Sequence, residues 1–322
     1  MPLVNPIPKT SQVGNIDYSV GDTKTFDSPT SGFIIESEIV LTFDATVNGL
    51  GASINKWGFG AALIRNFEMV LNGTDKFIDL SGAALLTQAR LDTGVVPMGN
   101  GVISTATDKT YELHIPIMHT LPWSKNPYQA GLDLRNASSL QYRITWGDIS
   151  DIFRTPGTAS ISNVSCKIVQ RKIDNISLDF EKPLLRELTM QKINVVGTIK
   201  GWNDYKEQRT TNLLIRSHTL VPVLNSVEAV TVLRDGFKVQ HGSETFREHD
   251  VDLLQSDYLL RTGSEVPSAV YPVPYEMHGT SEHAVPTNNL DSPLVLTADV
   301  YASLTLDTDI FVMREALRYQ QF

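Results

Sequence analysis

The chain of 322 residues is poor in the residues that build cross-linked scaffolds. It has a single cysteine, Cys166, so no disulfide bond can form within the chain and packing has to hold the fold. Cys166 lies in an alternating strand pattern, where we expect a buried thiol. A reducing compartment during folding is the simplest inference.

Long apolar segments and a targeting sequence are also missing. No run of eighteen apolar residues occurs, so we expect no membrane-spanning helix. The first fourteen residues, MPLVNPIPKTSQVG, lack the basic region and apolar core of a secretory signal. We therefore expect synthesis in a cytoplasm.

Basic residues are fewer than acidic residues in this chain. The chain carries 27 basic and 36 acidic residues and a net charge of −9. Binding to nucleic acids scales with Lys and Arg contacts to phosphates, so this balance argues against a protein whose main task is to neutralise phosphates. We expect no direct nucleic-acid binding.

Signatures of catalysis are absent as well. There is no Gly-x-Ser-x-Gly elbow, no phosphate-binding glycine loop and no dinucleotide fingerprint. The strongest metal candidate is the group Glu276, His278, Glu282 and His283, which has suitable ligand types. His278 and His283 would point to opposite faces of a regular strand, so solvated loop histidines are the preferred interpretation. We predict no enzyme, no cofactor and no metal.

Other clusters of charge have structural explanations. The segment 248–250, Glu-His-Asp, precedes a predicted helix, where carboxylates favour the helix N-terminus. Asp148 with Asp151, and Asp307 with Asp309, resemble fragments of a calcium loop without its glycine and distal glutamate. Turns account for these pairs.

What the sequence does contain is an internal repeat. The stretch from Arg65 to Gly94 matches the stretch from Arg234 to Gly263 without insertion or deletion, with eight identities in thirty positions. In each copy a short strand runs into a dipeptide suited to a tight hairpin turn, Asn72-Gly73 or His241-Gly242. The identities are Arg65/Arg234, Val70/Val239, Gly73/Gly242, Phe77/Phe246, Leu85/Leu254, Leu91/Leu260, Thr93/Thr262 and Gly94/Gly263. The chain is predicted to be a tandem duplication.

A helix should follow the turn in each copy. Ser81 and Asp250 occupy equivalent positions and are both residues that cap helix N-termini. Gly94 and Gly263 stand where a left-handed C-terminal residue is required. Apolar residues at helical spacing lie between cap and stop.

Weaker matches continue in the same order. His119 is matched with His278, and the strand starting at Ser138 with the one starting at Ser292. The segment 166–171 is matched with 309–314 near the end of the chain. The collinear order supports duplication of the whole unit.

The rest of the chain is predicted to be mainly β. Period-two alternation of Val, Ile, Thr, Phe and Tyr is broken by Gly, Pro, Asn and Asp, and one further helix is predicted over 184–191. Polar, Gly/Pro-rich connections suit a Greek-key sandwich. We predict an all-β fold of two tandem jelly-roll sandwiches, each with one inserted short helix. The predicted strands are 34–43, 65–71, 111–118, 140–146, 160–171, 212–221, 230–240, 270–275, 294–304 and 309–317.

The predicted organisation has three parts: an extended N-terminal arm over 1–14, a first jelly roll over 15–176, and a second over 177–322 that includes a C-terminal tail. Such arms reach over neighbouring molecules, and a frayed terminus is the other interpretation. Aromatic residues in the tail could dock on a partner. The predicted assembly contacts are Pro2, Pro6, Pro8, Tyr319 and Phe322.

On these features, the internal repeat above all, the chain resembles the double-jelly-roll major capsid proteins. That family builds the shells of adenoviruses and of tailless icosahedral phages, many with an internal lipid membrane. The resemblance covers nearly the whole chain at the level of architecture. The family has no diagnostic short motif, so the resemblance transfers no individual functional residue.

The resemblance implies a shell protein. Three chains with two upright jelly rolls each would form a homotrimeric, pseudo-hexameric capsomer that tiles an icosahedral virion. Implied partners are other copies of the chain, neighbouring capsomers, minor capsid and vertex proteins and, in members that have one, the internal viral membrane. The acidic charge fits a shell kept apart from the genome.

A second hypothesis comes from another class of protein. Jelly rolls also occur in bicupin-like metalloenzymes and in carbohydrate-binding proteins. Cupins need a His-x-His pair, which this chain lacks, and lectins need exposed aromatic residues. The four tryptophans are scattered, and Trp146 fits a core strand.

Overall fold

A computed structural model gives the fold of most of the chain. It describes residues 7–46, 57–95, 109–124, 127–154, 156–174, 184–195, 201–207, 213–224, 227–228, 233–241, 244–249, 251–263, 265–267, 269–275, 284–286, 294–300 and 308–320. The chain forms two compact units. The first comprises Met1–Leu188 together with Tyr319–Phe322, and the second comprises Thr189–Arg318.

The first unit is a sandwich of two antiparallel sheets. One sheet has the strand order β1-β9-β3-β6, with the short β7 on β3, and the other has the order β2-β8-β4-β5. Helix α1 (Gly82–Thr93) follows β5, and the short helix α2 (Ile149–Ile152) follows β8. The strands are β1 (Ile7–Ile16), β2 (Thr23–Ser28), β3 (Phe33–Thr46), β4 (Ile64–Leu71), β5 (Asp75–Leu80), β6 (Lys109–Met118), β7 (Leu132–Asp133), β8 (Leu140–Trp146) and β9 (Ser160–Asp174).

The second unit repeats this strand order. Its sheets run β10-β19-β12-β16 and β11-β18-β14-β15, with the short β13 and β17 on β12, and helix α3 (Val251–Thr262) follows β15. Its strands are β10 (Leu184–Val195), β11 (Gly201–Glu207), β12 (Leu214–Leu224), β13 (Val227–Glu228), β14 (Leu233–His241), β15 (Glu244–His249), β16 (Tyr271–Pro274), β17 (Val285–Pro286), β18 (Leu294–Val300) and β19 (Thr308–Tyr319). The start of β10, through Leu188, and the last residue of β19 belong to the first unit. Eight strands of each unit therefore correspond one to one.

The repeated segment folds as predicted. Helices α1 and α3 each have 12 residues and lie at matching positions of the two copies. The Ser81 side chain accepts a hydrogen bond from the Ala84 backbone N–H, and Gly94 and Gly263 have positive φ. Asn72 and Gly73 also have positive φ, as the predicted hairpin turn requires. Asp250 and Gly242 lie outside the described residues.

The two copies of the repeat align without a gap in sequence, but their hairpins pair in registers that differ by one residue. Met69 of β4 lies opposite Ile78, whereas Val239 of β14 lies opposite Arg247, the residue that matches Ile78. Val239 thus takes the place of Met69 rather than of Val70. Strand β14 is one residue longer than β4, and the hairpin connection after it is one residue shorter.

A second register prediction is wrong by one residue. Cys166 of β9 lies opposite Leu41, and Ile310 of β19 lies opposite Pro222. Counted from the bulge that interrupts both strand pairs, Cys166 corresponds to Ile310, not to Asp309. Both are buried, and a shift of one residue would turn them to the outer face.

The helix predicted over 184–191 is wrong, because this segment is the strand β10. Leu, Arg, Glu and Met favour helices in isolation, but residues 184–188 are all buried. A strand that is covered on both faces loses the alternation by which strands are recognised.

Each unit has its own apolar core between its sheets. In the first unit the largest buried aromatic residues are Trp146, Tyr111, Tyr142, Phe33, Phe43, Phe67, Phe77 and Phe153. In the second unit the core comprises Tyr205, Ile215, Leu220, Val239, Leu254, Tyr271, Val273, Tyr275, Leu296, Ile310 and Val312. Trp146 is a core residue, as predicted.

The N-terminal segment is partly built into the fold. Residues 7–14 of the predicted arm lie in β1, which pairs with β9 from Ile7 opposite Asp174 to Ile16 opposite Cys166. Of the predicted boundary region, residues 175–183 lie outside the described part of the chain. Among the helices that the structure describes, none has the length and apolar character needed to cross a membrane.

Candidate assembly surfaces and buried polar clusters

The predicted assembly contacts lie at the two chain ends. Pro8 is in β1 opposite Ile173, and Tyr319 ends β19 with 70% of its surface exposed. Pro2, Pro6 and Phe322 lie outside the described residues. The Gln320 side chain is buried and donates to the Asp133 carbonyl at 2.8 Å, so the chain end is held at β7 next to the exposed Tyr319.

The weaker site candidates are placed as follows. Glu276, His278, Glu282 and His283 lie outside the described residues. No group of three or more His, Cys, Asp or Glu side chains in the part of the chain that the structure covers could hold a metal ion. Cys166 is buried as predicted, and burial raises the pKa of its thiol to about 12.

The acidic pair Asp148 and Asp151 forms a helix cap. The Asp148 side chain accepts the Ser150 backbone N–H at 2.7 Å, and the Asp151 side chain accepts the Asp148 N–H at 2.8 Å. Arg65 pairs with Asp151 at 2.9 Å. The turn predicted for this pair is the capped N-terminal turn of the short helix α2. Asp309 instead pairs with Lys192 at 2.7 Å, and Asp307 lies outside the described residues.

A charged cluster lies on the outer face of the β3-β6-β9 sheet. The His114 imidazole lies between carboxylates, with Nδ1 at 2.7 Å from Glu38 and Nε2 at 2.7 Å from Glu112. Arg171 pairs with Glu36 at 3.1 Å and with Glu38 at 3.4 Å. Burial lowers the pKa of His114, but the two carboxylates more than offset it and the pKa is raised.

An exposed tryptophan lies at the C-terminal end of α1. Trp123 adopts a left-handed backbone conformation with φ 61°, and its indole N–H donates to the Leu91 carbonyl at 2.9 Å. Trp123, Tyr128 and Val95 all expose large parts of their side chains. A strained tryptophan that is held by a helix carbonyl and still exposed is typical of a contact residue.

The second unit has an exposed apolar stripe on α3. Leu253, Leu259 and Leu260 are all exposed. Leu260 matches Leu91 of α1, yet Leu91 is 5% exposed and Leu260 is 86% exposed. Duplicated positions in equivalent helices therefore have opposite environments.

A chain of buried polar side chains crosses the core of the first unit. The Gln170 Nε2 donates to the Tyr142 hydroxyl at 2.8 Å, which lies 2.9 Å from the Ser37 hydroxyl. Ser37 Oγ lies 2.8 Å from His119 Nε2. Burial, together with the nearby Arg186 charge, lowers the pKa of His119 to about 3. Burial raises the pKa of Tyr142 to about 12.

Beside this chain lies a buried ion pair. The Arg186 guanidinium on β10 contacts both carboxylate oxygens of Asp92 on α1, each at 2.7 Å, and donates to the Met118 carbonyl at 2.8 Å. Gln88 donates to the same carboxylate at 2.9 Å. The pair connects α1 to the strand β10 and to the end of β6.

The second unit has a buried pair at the position of Ser37 and His119. His218 Nδ1 lies 2.8 Å from the Tyr275 hydroxyl, and both residues are buried. The Tyr275 N–H donates to the bulged residue Arg216 of β12, as the His119 N–H donates to the bulged Ile35 of β3. His119 thus corresponds to Tyr275, and its predicted match with His278 is wrong.

Sequence reasoning did not find these clusters. The Ser37 to His119 pair joins residues far apart in the chain, and Arg186 lies in the segment predicted to be a helix. The only sequence signal was that Met118 and His119 end a strand pattern that includes Pro116. The exposure of Leu260 could not be predicted from the sequence, because the matching residue Leu91 is buried and both are leucines.

Comparison with known proteins gives matches in structure only. No protein-family model and no curated protein matches the chain. The STIV MCP aligns with a TM-score of 0.74 at 10% identity, covering 97% of this chain and 97% of that chain. The major capsid protein P2 from Bacteriophage PM2 aligns with a TM-score of 0.61 at 12% identity, covering 98% of each chain. The Faustovirus major capsid protein aligns with a TM-score of 0.67 at 8% identity, covering 100% of this chain and 91% of that chain.

These alignments span both units, and the two units have the same strand order. The chain therefore has the double-jelly-roll fold, and the predicted fold class is confirmed.

Proposed function

We propose that this chain, which shares its fold with viral major capsid proteins, is itself the major capsid protein of an icosahedral virion. The observation that carries the proposal is the repeated strand order of the two units, combined with alignment over nearly the full length of capsid proteins. Two similar sandwiches in one chain supply six in a trimer, so one gene product gives a pseudo-hexameric block. The function is then geometric, and no catalytic group is required.

Self-association needs apolar surface, and each unit offers some. Trp123, Tyr128 and Val95 are exposed on the first unit, and Leu253 and Leu260 are exposed on the second. Large apolar side chains that a chain leaves exposed are typical of protein contact sites. In this proposal another copy of the chain covers the α3 stripe.

The chain ends are proposed as ties between capsomers. Tyr319 is exposed next to the anchored Gln320, so the last residues start from a fixed point on the first unit. Pro2, Pro6 and Pro8 at one end and Tyr319 and Phe322 at the other would contact adjacent capsomers, minor capsid or vertex proteins, or a membrane beneath the shell. The domain limits 1–14, 15–176 and 177–322 remain part of this proposal.

The alternative hypothesis of a metalloenzyme or carbohydrate-binding protein has no specific observation in its favour. The described side chains form no metal-binding group, and Cys166 is buried with a raised pKa. The indole N–H of the exposed Trp123 is bound to the Leu91 carbonyl at the end of α1.

Native mass tests the proposal. We expect purified full-length protein to have three times the 35.7 kDa mass of one chain, or a larger assembly, by light scattering. Metal analysis on the same sample is expected to give no stoichiometric ion. A monomer at every concentration tested that carries stoichiometric zinc or iron would favour the enzyme instead.

A further inference from the structure

The buried polar chain of the first unit has a direction. Gln170 only donates through Nε2, so the Tyr142 oxygen accepts and the Tyr142 hydroxyl proton is free to go to Ser37. Ser37 then donates its own proton to His119 Nε2. This assignment is the one that places both hydroxyl protons in hydrogen bonds, and it requires an unprotonated Nε2 on His119.

Protonation of His119 would conflict with its surroundings. A proton on Nε2 would face the Ser37 hydroxyl, and reversing that bond leaves a hydroxyl proton of Ser37 or Tyr142 without an acceptor among these groups. The charge of Arg186, which is bound to Asp92, acts on the ring and disfavours its protonation. The ring also packs against Phe77, with ring centroids 6.2 Å apart. The site thus favours a neutral ring.

The second unit repeats this arrangement with the residue types exchanged. The histidine is now on the strand, as His218 of β12, and the residue after the edge strand is Tyr275. Tyr205 packs edge-on to the His218 ring at 5.7 Å, and Arg314 is the cross-strand partner of His218 on β19. Each unit therefore keeps one fully buried imidazole, in a polar contact between neighbouring strands and close to an arginine.

We propose that buried His119 makes the protein acid-labile: protonation of its ring breaks the hydrogen bond to Ser37 between β3 and the end of β6 and opens the sandwich of the first unit. The effect on the isolated protein does not depend on the capsid assignment. If the chain forms a shell, the same step would loosen the shell in mild acid, and this consequence rests on the proposed function.

The direction of the effect follows from linkage. The pKa of His119 is lowered from 6.5 to about 3, so between these values the unfolded chain binds a proton that the folded chain does not. Stability therefore falls as the pH decreases through this window. Because of His119, the unfolding constant rises by up to tenfold for each unit by which the pH falls. At pH 5 it is about 30-fold higher than at neutral pH.

Urea unfolding of the full-length protein between pH 7.5 and pH 5 tests the proposal. The H119Q variant keeps a neutral side chain with a hydrogen-bond acceptor at every pH. We expect the unfolding constant of the variant to rise about 30-fold less than that of the wild type. H114Q is the matched control, because His114 is bound by carboxylates and shows no such acid loss. An equal rise in wild type and H119Q would overturn the proposal.

A measurement on the wild type covers the case in which the variants do not fold. The chain has seven histidines, and labelling with ¹³C-histidine allows each ring to be titrated by NMR. We expect at least one ring to stay neutral from pH 8 to pH 5 while the protein remains folded. Titration of all seven rings near the ordinary value would contradict the proposal. Loss of assembled particles at pH 5 without unfolding of the isolated protein would also contradict it, and it would leave the capsid assignment intact.

Discussion

Arg186 of β10 binds Asp92 of α1 through two hydrogen bonds of 2.7 Å, and both side chains are almost completely buried. Two charges withdrawn from water in this way are tolerated only while both are present. The pair makes the position of α1 depend on a strand that is more than ninety residues away in the chain.

Removing one partner is therefore expected to be costly. R186M should lower the free energy of unfolding by about 3 to 5 kcal/mol, because Asp92 would stay buried with Gln88 as its main remaining donor. Urea unfolding followed by tryptophan fluorescence reports this, since Trp57, Trp123 and Trp146 lie in the first unit. K76M, which removes a surface contact with Glu68, should cost less than about 1 kcal/mol. Equal costs for the two variants would contradict the prediction.

Gly82, the first residue of α1, is expected to resist replacement. Alanine is the better helix former, but a Cβ at this position would overlap the Ala61 carbonyl oxygen, which belongs to the backbone. G82A should therefore destabilise the protein by about 1 to 3 kcal/mol in thermal or urea unfolding. G73A is the comparison: its φ is 81° and the space around it is open, so only backbone strain of about 1 kcal/mol applies. A neutral or stabilising G82A would refute the packing argument.

His114 should show a pH dependence opposite to that of His119. Burial lowers the pKa of His114, but Glu38 and Glu112 together raise it by more, so the net shift is upward. The stabilising contribution is present below the ordinary value and is lost as the pH rises through the raised pKa. H114Q should be less stable than wild type at pH 5.5, by less than about 1 kcal/mol because the ring is partly exposed, and nearly equal at pH 8.5. E112Q should reproduce part of this difference, and a gap that widens with rising pH would count against the assignment.

Cys166 is expected to be chemically silent in the folded protein. Burial raises the pKa of its thiol to about 12, and the attacking species in alkylation is the thiolate. Iodoacetamide at pH 8 should react at least about 100-fold more slowly than in urea-unfolded protein. The C166A variant gives the background rate. Fast labelling of folded protein would show that the β9 strand opens locally.

The α3 stripe is expected to contribute to association and not to folding. L260K replaces a side chain that is 86% exposed, so the free energy of unfolding should change by less than about 0.5 kcal/mol. The dissociation constant of the oligomer should rise by about tenfold or more, since the proposal makes Leu260 a central contact residue and loss of such a residue costs about 2 kcal/mol or more. Sedimentation velocity measures this, with V20K as an exposed apolar control in the turn between β1 and β2. Equal effects of L260K and V20K would remove the stripe from the proposed interface.

The sequence predicted best where local geometry is restrictive. Asn72 and Gly73 need positive φ, Ser81 accepts a helix N–H and Gly94 ends the helix, and each role depends on residues within a few positions. The duplication follows from the same positions, because turn and cap residues tolerate little change. The overall strand content was predictable from alternation for the same reason.

Registers and the segment 184–195 were not predictable in this way. Alignment of 166–171 with 309–314 was wrong by one residue, because the register of β9 and β19 is set by pairing with β3 and β12, which are distant in the chain. Strand β10 looked helical because its first residues are buried on both faces.

The sequence by itself determined that the chain is a duplicated, mainly β protein with a capped helix in each half, since turns, caps and alternation act over a few residues. Only the tertiary structure decided that His119 and Tyr275 occupy one position, that Arg186 holds Asp92, and that Leu260 is exposed where Leu91 is buried. These features depend on contacts between distant segments and on which neighbour covers a given face. Such contacts are set by packing of the whole sandwich and not by the residues next to each position.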